Sequence, residues 1–141
     1  MNKPRIGLVG VGLMGHGIAL NIARKGYALA VLEHPGNQPL DELRALGVTS
    51  AATVRALARQ VEVLILCVTG SPQVEAVLLG EQGALAALRP GTVVIDCSTA
   101  IPTSTEAVAR AVAAAGGRFL DAPMTRTPKE AAEGRLDLLV G

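Results

Sequence analysis

Gly10-Val-Gly-Leu-Met-Gly15 stands between an apolar run, Ile6-Gly-Leu-Val9, and a stretch from Leu13 to Lys25 that carries Ile18, Leu20, Ile22 and Ala23. Few backbones accept that order. The apolar run reads as a buried strand, the spaced apolar residues read as a helix, and the glycines between them read as the turn that joins the two. Gly26 closes the helix, and Ala28-Leu-Ala-Val-Leu32 reads as a second buried strand ahead of Glu33-His-Pro-Gly36. The chain thus opens with one βαβ unit.

The alternation continues downstream. Leu40 to Leu46 reads as a short helix closed by Gly47, and Thr53 to Gln60 as another. Val61-Glu-Val-Leu-Ile-Leu-Cys67 is apolar nearly throughout, as a central parallel strand must be. Ser71 is the expected N-cap, with Pro72 at the first helical position, of a helix running to Leu79. Helix is expected to continue from Gly83 to Leu88, until Arg89-Pro-Gly91 breaks it. Thr92 to Asp96 and Arg118 to Asp121 read as strands on either side of a helix from Pro102 to Ala115. Pro128 to Glu133 reads as a helical turn or two, and Leu136 to Val140 as a last strand. Strands and helices at this spacing predict an α/β fold with a doubly wound parallel sheet, one domain over residues 1–141. The chain stops at Gly141 just after an apolar strand, and is read as a fragment.

Composition narrows the function classes. Half of the 141 residues are apolar, which excludes a disordered chain. Tyr27 and Phe119 are the only aromatics, so the core must be built from Ala, Val, Leu and Ile. Thirteen Lys and Arg against 12 Asp and Glu leave a net charge of +1, without the basic footprint of a nucleic-acid binder. Neither nucleic acid nor a membrane is an expected partner. The longest apolar run, Val63 to Val68, is far short of a membrane span, and the N-terminal residues lack a secretion signal. Cys67 and Cys97 can make neither a disulfide framework nor a clustered metal site, so no metal is expected and the cytoplasm is the expected compartment.

Gly10, Gly12 and Gly15 form G-x-G-x-x-G, a weak pattern by itself. Here it follows a strand, opens a helix, and has Glu33 at the end of the next strand, about 20 residues on as a ribose-binding acid requires. Gly10 would permit the tight turn, Gly12 would let the backbone approach a pyrophosphate, and Gly15 would allow close helix packing, with free N–H groups of the helix facing the anion. Glu33 would accept from both adenine-ribose hydroxyls and repel a 2′-phosphate, favouring NAD(H) over NADP(H). A protonated His34 would soften that preference. The plainer alternative is a tight glycine turn beside a solvated glutamate. His16, in the first turn of the helix, reads as a solvated or phosphate-facing residue rather than a base, and Cys67 and Cys97 read as buried structural thiols with no local cation to activate them.

Taken together, these residues resemble the N-terminal domain of the β-hydroxyacid dehydrogenases, a family that includes 3-hydroxyisobutyrate dehydrogenase, tartronate semialdehyde reductase and, more distantly, 6-phosphogluconate dehydrogenase. The likeness spans essentially the whole chain. Ile6 to Gly15 looks like the family's dinucleotide fingerprint, including its Met; Leu66-Cys-Val68 is similar to the strand end that lies against the cofactor; and Asp96-Cys-Ser-Thr99 is similar to the segment whose Thr faces the nicotinamide. Phe119-Leu-Asp-Ala-Pro-Met124, with Ala131-Ala-Glu-Gly-Arg-Leu136 and Val140-Gly141, resembles the substrate-loop signature. The resemblance implies a Rossmann domain in which Gly10, Val11, Gly12, Leu13, Met14, Gly15, Glu33, His34, Cys67, Val68 and Thr99 hold the cofactor. It further implies that Thr125, Arg126 and Thr127 orient the acid group of a small hydroxy acid or semialdehyde, and that the full-length protein is a homo-oligomer.

Two departures stand out. Most members carry Ser-Gly-Gly where this chain reads Thr125-Arg-Thr127, a bulkier loop with an added positive charge. The family also places its catalytic Lys on a following all-helical domain that is missing from this chain, and none of Lys3, Lys25 and Lys129 matches that motif. No catalytic residue is therefore expected within these 141 residues. Two other readings stay open: a free-standing nucleotide-binding regulatory module, and a relative of the imine reductases.

Overall fold

The apolar runs of the sequence become strands of one parallel sheet in the computed structural model, which describes residues 3–125, 127–138 and 140. Strands β1 (Ile6–Val9), β2 (Leu29–Leu32), β3 (Thr49–Ala51), β4 (Val63–Leu66), β5 (Val93–Asp96) and β6 (Arg118–Asp121) lie in the order β3-β2-β1-β4-β5-β6. Ile6 stands opposite both Leu29 and Val63, and Asp96 opposite both Leu66 and Asp121. This is the doubly wound order, and its reversal between β1 and β4 opens a crevice at the carboxyl ends of the strands.

Alternate residues of each strand feed two cores. Ile6, Leu8, Leu29 and Val31 pack with Ala19 and Leu20 of α1 (Leu13–Arg24) and Leu43 of α2 (Asp41–Ala45). On the other face, Val9, Leu64, Leu66 and Val94 pack with Leu57 of α3 (Val54–Gln60), Val74 and Leu78 of α4 (Ser71–Leu79), and Val108 and Val112 of α5 (Pro102–Ala114). Burying each such aliphatic side chain contributes about 1.5–3 kcal/mol. Right-handed crossovers send α1 and α2 to one face and α3 to α5 to the other, so the first face is left thinner over β4 and β5. There a short helix, α6 (Pro128–Glu133), packs against α1, and Ile65 and Ile95 line a groove of about 300 Å³ with Ile18, Ile22, Leu136 and Leu138.

Four local expectations are corrected. β3 is a strand where none is expected, because Thr49-Ser-Ala51 lacks an apolar run and forms only by pairing with the open edge of β2. Gly70, not Ser71, is the N-cap of α4; Ser71 lies inside the first turn and its hydroxyl accepts from the Ile101 N–H at 2.7 Å. The stretch from Gly83 to Leu88 holds a single 3₁₀ turn, Leu85–Ala87, in place of continued helix. Finally, the last strand does not join the parallel sheet: β8 (Asp137–Leu138) pairs antiparallel with β7 (Met124–Thr125) in a ribbon of its own. Leu139 of that expected strand lies outside the described residues. Among the described residues, no helix is long and apolar enough to cross a membrane.

Candidate functional site

The three glycines after β1 do three different things. Gly10 has φ of 103°, a conformation that L side chains rarely adopt, and a Cβ there would lie 2.1 Å from the carbonyl oxygen of Cys67. A Cβ on Gly15 would lie 1.8 Å from the Gly10 carbonyl oxygen, so that glycine lets the helix start directly against the turn. At Gly12, by contrast, a Cβ would meet nothing within 4 Å. Gly12 is the N-cap of α1, no side chain caps that terminus, and its first turn holds no acidic residue. Packing explains two of the glycines and not the third, which faces open space. An open, uncapped helix N-terminus with a positive dipole end fits a pyrophosphate.

Val11 is buried and its carbonyl accepts from the Gln38 N–H at 2.7 Å, which ties the turn to the loop after β2. Leu13 is exposed, and Met14 and His16 are half-buried on the opening turn of α1. That loop and α2 frame a groove of about 520 Å³ lined by Glu33, His34, Asn37, Gln38 and Arg44 among others. Glu33 extends β2 by donating its N–H to the Ala51 carbonyl at 2.9 Å, and its Oε1 accepts from the Ser50 hydroxyl at 2.9 Å. His34 Nδ1 accepts from the Gly36 N–H at 2.9 Å. Imidazole in that bond carries its proton on Nε2 when neutral.

At the ends of β4 and β5 a second network holds Val68 and Thr99. The Ser98 N–H donates to Asp96 Oδ1 at 2.9 Å, and the Ser98 hydroxyl accepts from the Val68 N–H at 2.9 Å. Asp96 is fully buried, and its Oδ2 has no hydrogen-bond partner among the described residues. Burial raises its carboxyl above the usual range, Asp121 on β6 adds to the rise, and the bonds from Ser98 oppose it. Thr99, exposed, is thus bracketed by Ser98 and Ile101, which bond to Val68 and Ser71 at the two ends of the β4–α4 connection. Burial likewise pushes the Cys67 thiol up to about 11 and the Cys97 thiol to about 12, with Asp96 adding to both. Neither is a nucleophile near neutral pH.

The segment after β6 is held against α1 by residues that carry no motif. A Cβ on Gly17 would lie 2.6 Å from the Ala132 nitrogen, so this glycine sets how closely α6 approaches. Asn21 Nδ2 donates to the carbonyls of Ala131 and Ala132, at 2.8 and 3.1 Å, and to that of Gly17 on its own helix. Gly134 then ends α6 in the left-handed conformation. Thr125 is half-buried in β7, and Thr127 is the N-cap of α6 in a capping box with Glu130, which accepts from the Thr127 N–H at 3.2 Å. Arg126 and Gly141 lie outside the described residues. Lys25 caps the far end of α1, and Lys3 donates to its carbonyl and stands 4.8 Å from the Tyr27 ring centre, so both lie at the amino edge of the sheet, opposite the crevice.

Gly12, Glu33, Val68, Thr99 and Thr125 thus all follow or end strands at the carboxyl edge. The contacts of Gly17, Asn21, Ser50, Ser71 and Ser98 that hold this edge together escape sequence reasoning because each reaches a residue distant in the chain. Gly17 alone had a local signal, as a helical glycine two positions beyond the motif.

Comparison with known proteins places the fold in a family. Residues 5–141 match the family described as the NAD binding domain of 6-phosphogluconate dehydrogenase. The chain is 37% identical, over 97% of its length, to the 2-hydroxy-3-oxopropionate reductase of Escherichia coli (strain K12), and 35% identical to the NAD-dependent L-serine dehydrogenase of Pseudomonas aeruginosa. It covers 46% of each of those proteins. The crystal structure of 3-hydroxyisobutyrate dehydrogenase from Salmonella typhimurium superimposes with a TM-score of 0.89 at 30% identity, covering 98% of this chain and 48% of that one. The chain therefore spans about half the length of these relatives, and it belongs to the β-hydroxyacid dehydrogenase family, in which it is an NAD(P)-binding domain of the 6-phosphogluconate dehydrogenase type.

Proposed function

We propose that this chain is the cofactor half of an oxidoreductase that interconverts a small 3-hydroxy acid and its semialdehyde, with NAD(H) preferred over NADP(H). The carrying observation is Gly12, a helix-capping glycine that the fold itself does not require. In this reading the opening N–H groups of α1, with Gly10, Val11, Leu13, Met14 and Gly15 shaping the turn, hold the pyrophosphate. Glu33 accepts the adenine-ribose hydroxyls with His34 beside it, while Cys67, Val68 and Thr99 border the nicotinamide. The cofactor, when bound, supplies the hydride chemistry, and the chain supplies position and field. The names of the relatives support the substrate class.

Thr125, Arg126 and Thr127 orient the acid group of the substrate, with Thr127 also fixing the start of α6. The proton relay is assigned to none of Lys3, Lys25 and Lys129, so the 141 residues by themselves bind nucleotide without efficient turnover. The full-length protein is proposed to be a cytoplasmic homo-oligomer.

Cofactor choice tests the first half of the reading. In calorimetric titration NADH is expected to bind more tightly than NADPH, by about 1–3 kcal/mol as for hydrogen bonds to a charged group, and Glu33→Ala is expected to narrow the gap. Equal affinities in the unmutated protein would refute the preference. Substrate binding tests the second half. In the full-length enzyme Arg126→Ala is expected to raise KM by at least about tenfold while kcat changes little, because an anion contact of this kind is made equally in the ground and transition states. Arg126→Lys should recover part of the loss, since an ammonium cannot form the bidentate fork. An unchanged KM would leave Thr125 to hold the acid.

A further inference from the structure

We propose that Ser50 is a positioning residue for cofactor specificity: from β3 it holds the Glu33 carboxylate at the adenosine end of the crevice, and so sets the discrimination between NAD(H) and NADP(H). The inference rests on the assignment of Glu33 as the ribose acceptor and deepens it.

Three observations carry it. The Ser50 hydroxyl donates to Glu33 Oε1 at 2.9 Å, and the backbone around both residues is pinned, since Val31 pairs with Ser50 and the Glu33 N–H donates to Ala51 at 2.9 Å. Glu33 is solvent-exposed, whereas Ser50 is partly buried in a strand. An exposed glutamate samples many rotamers, and a bond from a strand-borne hydroxyl selects among them before any ligand arrives. Its occupied oxygen is Oε1, which leaves Oε2 to accept from a ribose hydroxyl.

The third observation is the charge of the groove. Arg44 and His34 line it together with Glu33. Both are groups that a 2′-phosphate would seek, Arg44 through its planar fork and His34 through a ring N–H. Which cofactor the groove accepts therefore depends on where the single carboxylate stands relative to them. Held on β3, it keeps its negative charge at the groove that they line; released, it is free to turn into solvent and leave the two donors unopposed.

The test measures dissociation constants for NADH and NADPH by calorimetry in the unmutated protein, S50A, S50T, E33Q and the E33Q/S50A double variant, with a thermal melt for each. S50A is expected to weaken NADH about three- to tenfold and to tighten NADPH, so that the preference for NADH falls. S50T, which keeps a hydroxyl and suits a strand, should restore the ratio. Adding S50A to E33Q should leave the NADH-to-NADPH ratio where E33Q puts it, because the charge that Ser50 positions is gone. Equal weakening of both cofactors in S50A would overturn the proposal and reduce Ser50 to a support of the fold. A ratio that collapses in E33Q yet stays unchanged in S50A would overturn it while leaving the role of Glu33 intact. If neither variant moves the ratio, the assignment of Glu33 falls as well.

Discussion

Gly12→Val is expected to abolish dinucleotide binding, a loss of at least about 100-fold, while the circular dichroism spectrum stays near native. The fold tolerates a side chain there: Gly12 has φ of −82° and ψ of −158°, an extended conformation that valine adopts, and its Cβ would meet no atom within 4 Å. Replacing glycine at a helix N-cap by an apolar residue costs about 1 kcal/mol. The added methyl groups instead stand over the N–H groups that would face a pyrophosphate. Calorimetry with NADH against the unmutated protein reads the effect. Retained affinity would mean that the cofactor does not cross Gly12.

Gly10→Ala is expected to do the reverse damage, a loss of stability in which the ligand plays no part. The residue combines a φ of 103° with a Cβ position 2.1 Å from the Cys67 oxygen and 2.7 Å from its carbonyl carbon. Neither atom can yield cheaply, because the Cys67 N–H donates to the Val9 carbonyl at 2.8 Å and so belongs to the β1–β4 pairing. Backbone strain and a backbone clash together place the cost near about 4 kcal/mol, at the upper end for single substitutions and a large share of the about 5–15 kcal/mol that holds a domain together. For a chain of this size that is a fall of about 10–15 °C in Tm. A near-native melt would show that the turn does not press on β4. The two variants separate what the motif does for the fold from what it does for a ligand.

How far the sequence reaches can be judged residue by residue. β1, β2, β4 and β5 are legible because strands buried on both faces must be continuously apolar, and Ile6 to Val9 or Val63 to Leu66 satisfy that rule without help from the rest of the chain. α6 reads in the sequence as a helical turn or two from Pro128 to Glu133, and the structure adds a capping box of Thr127 and Glu130 at its start. β3 is not, since Thr49-Ser-Ala51 has no pattern of its own and owes its conformation to donors and acceptors on β2. Ser71 looked like an N-cap for a sound local reason, yet the chain assigns its hydroxyl to Ile101, 30 residues away. The ribbon of β7 and β8 escaped for the same cause: two-residue strands show no period, and only the return of the chain pairs Met124 with Leu138.

The amino-acid sequence by itself determined the parallel sheet, the glycine turn into α1 and the acid at the end of β2, because periodicity, glycine conformations and the spacing of Glu33 from the turn are local properties of a chain. Tertiary structure alone decided which of the three glycines is free of packing, which hydroxyl holds Glu33, and how Asn21 anchors α6 to the helix that opens at Gly12. Each of those depends on which atoms the folded chain brings together, and a hydrogen bond made between residues far apart in the chain leaves no repeat or spacing in the sequence from which it could be read.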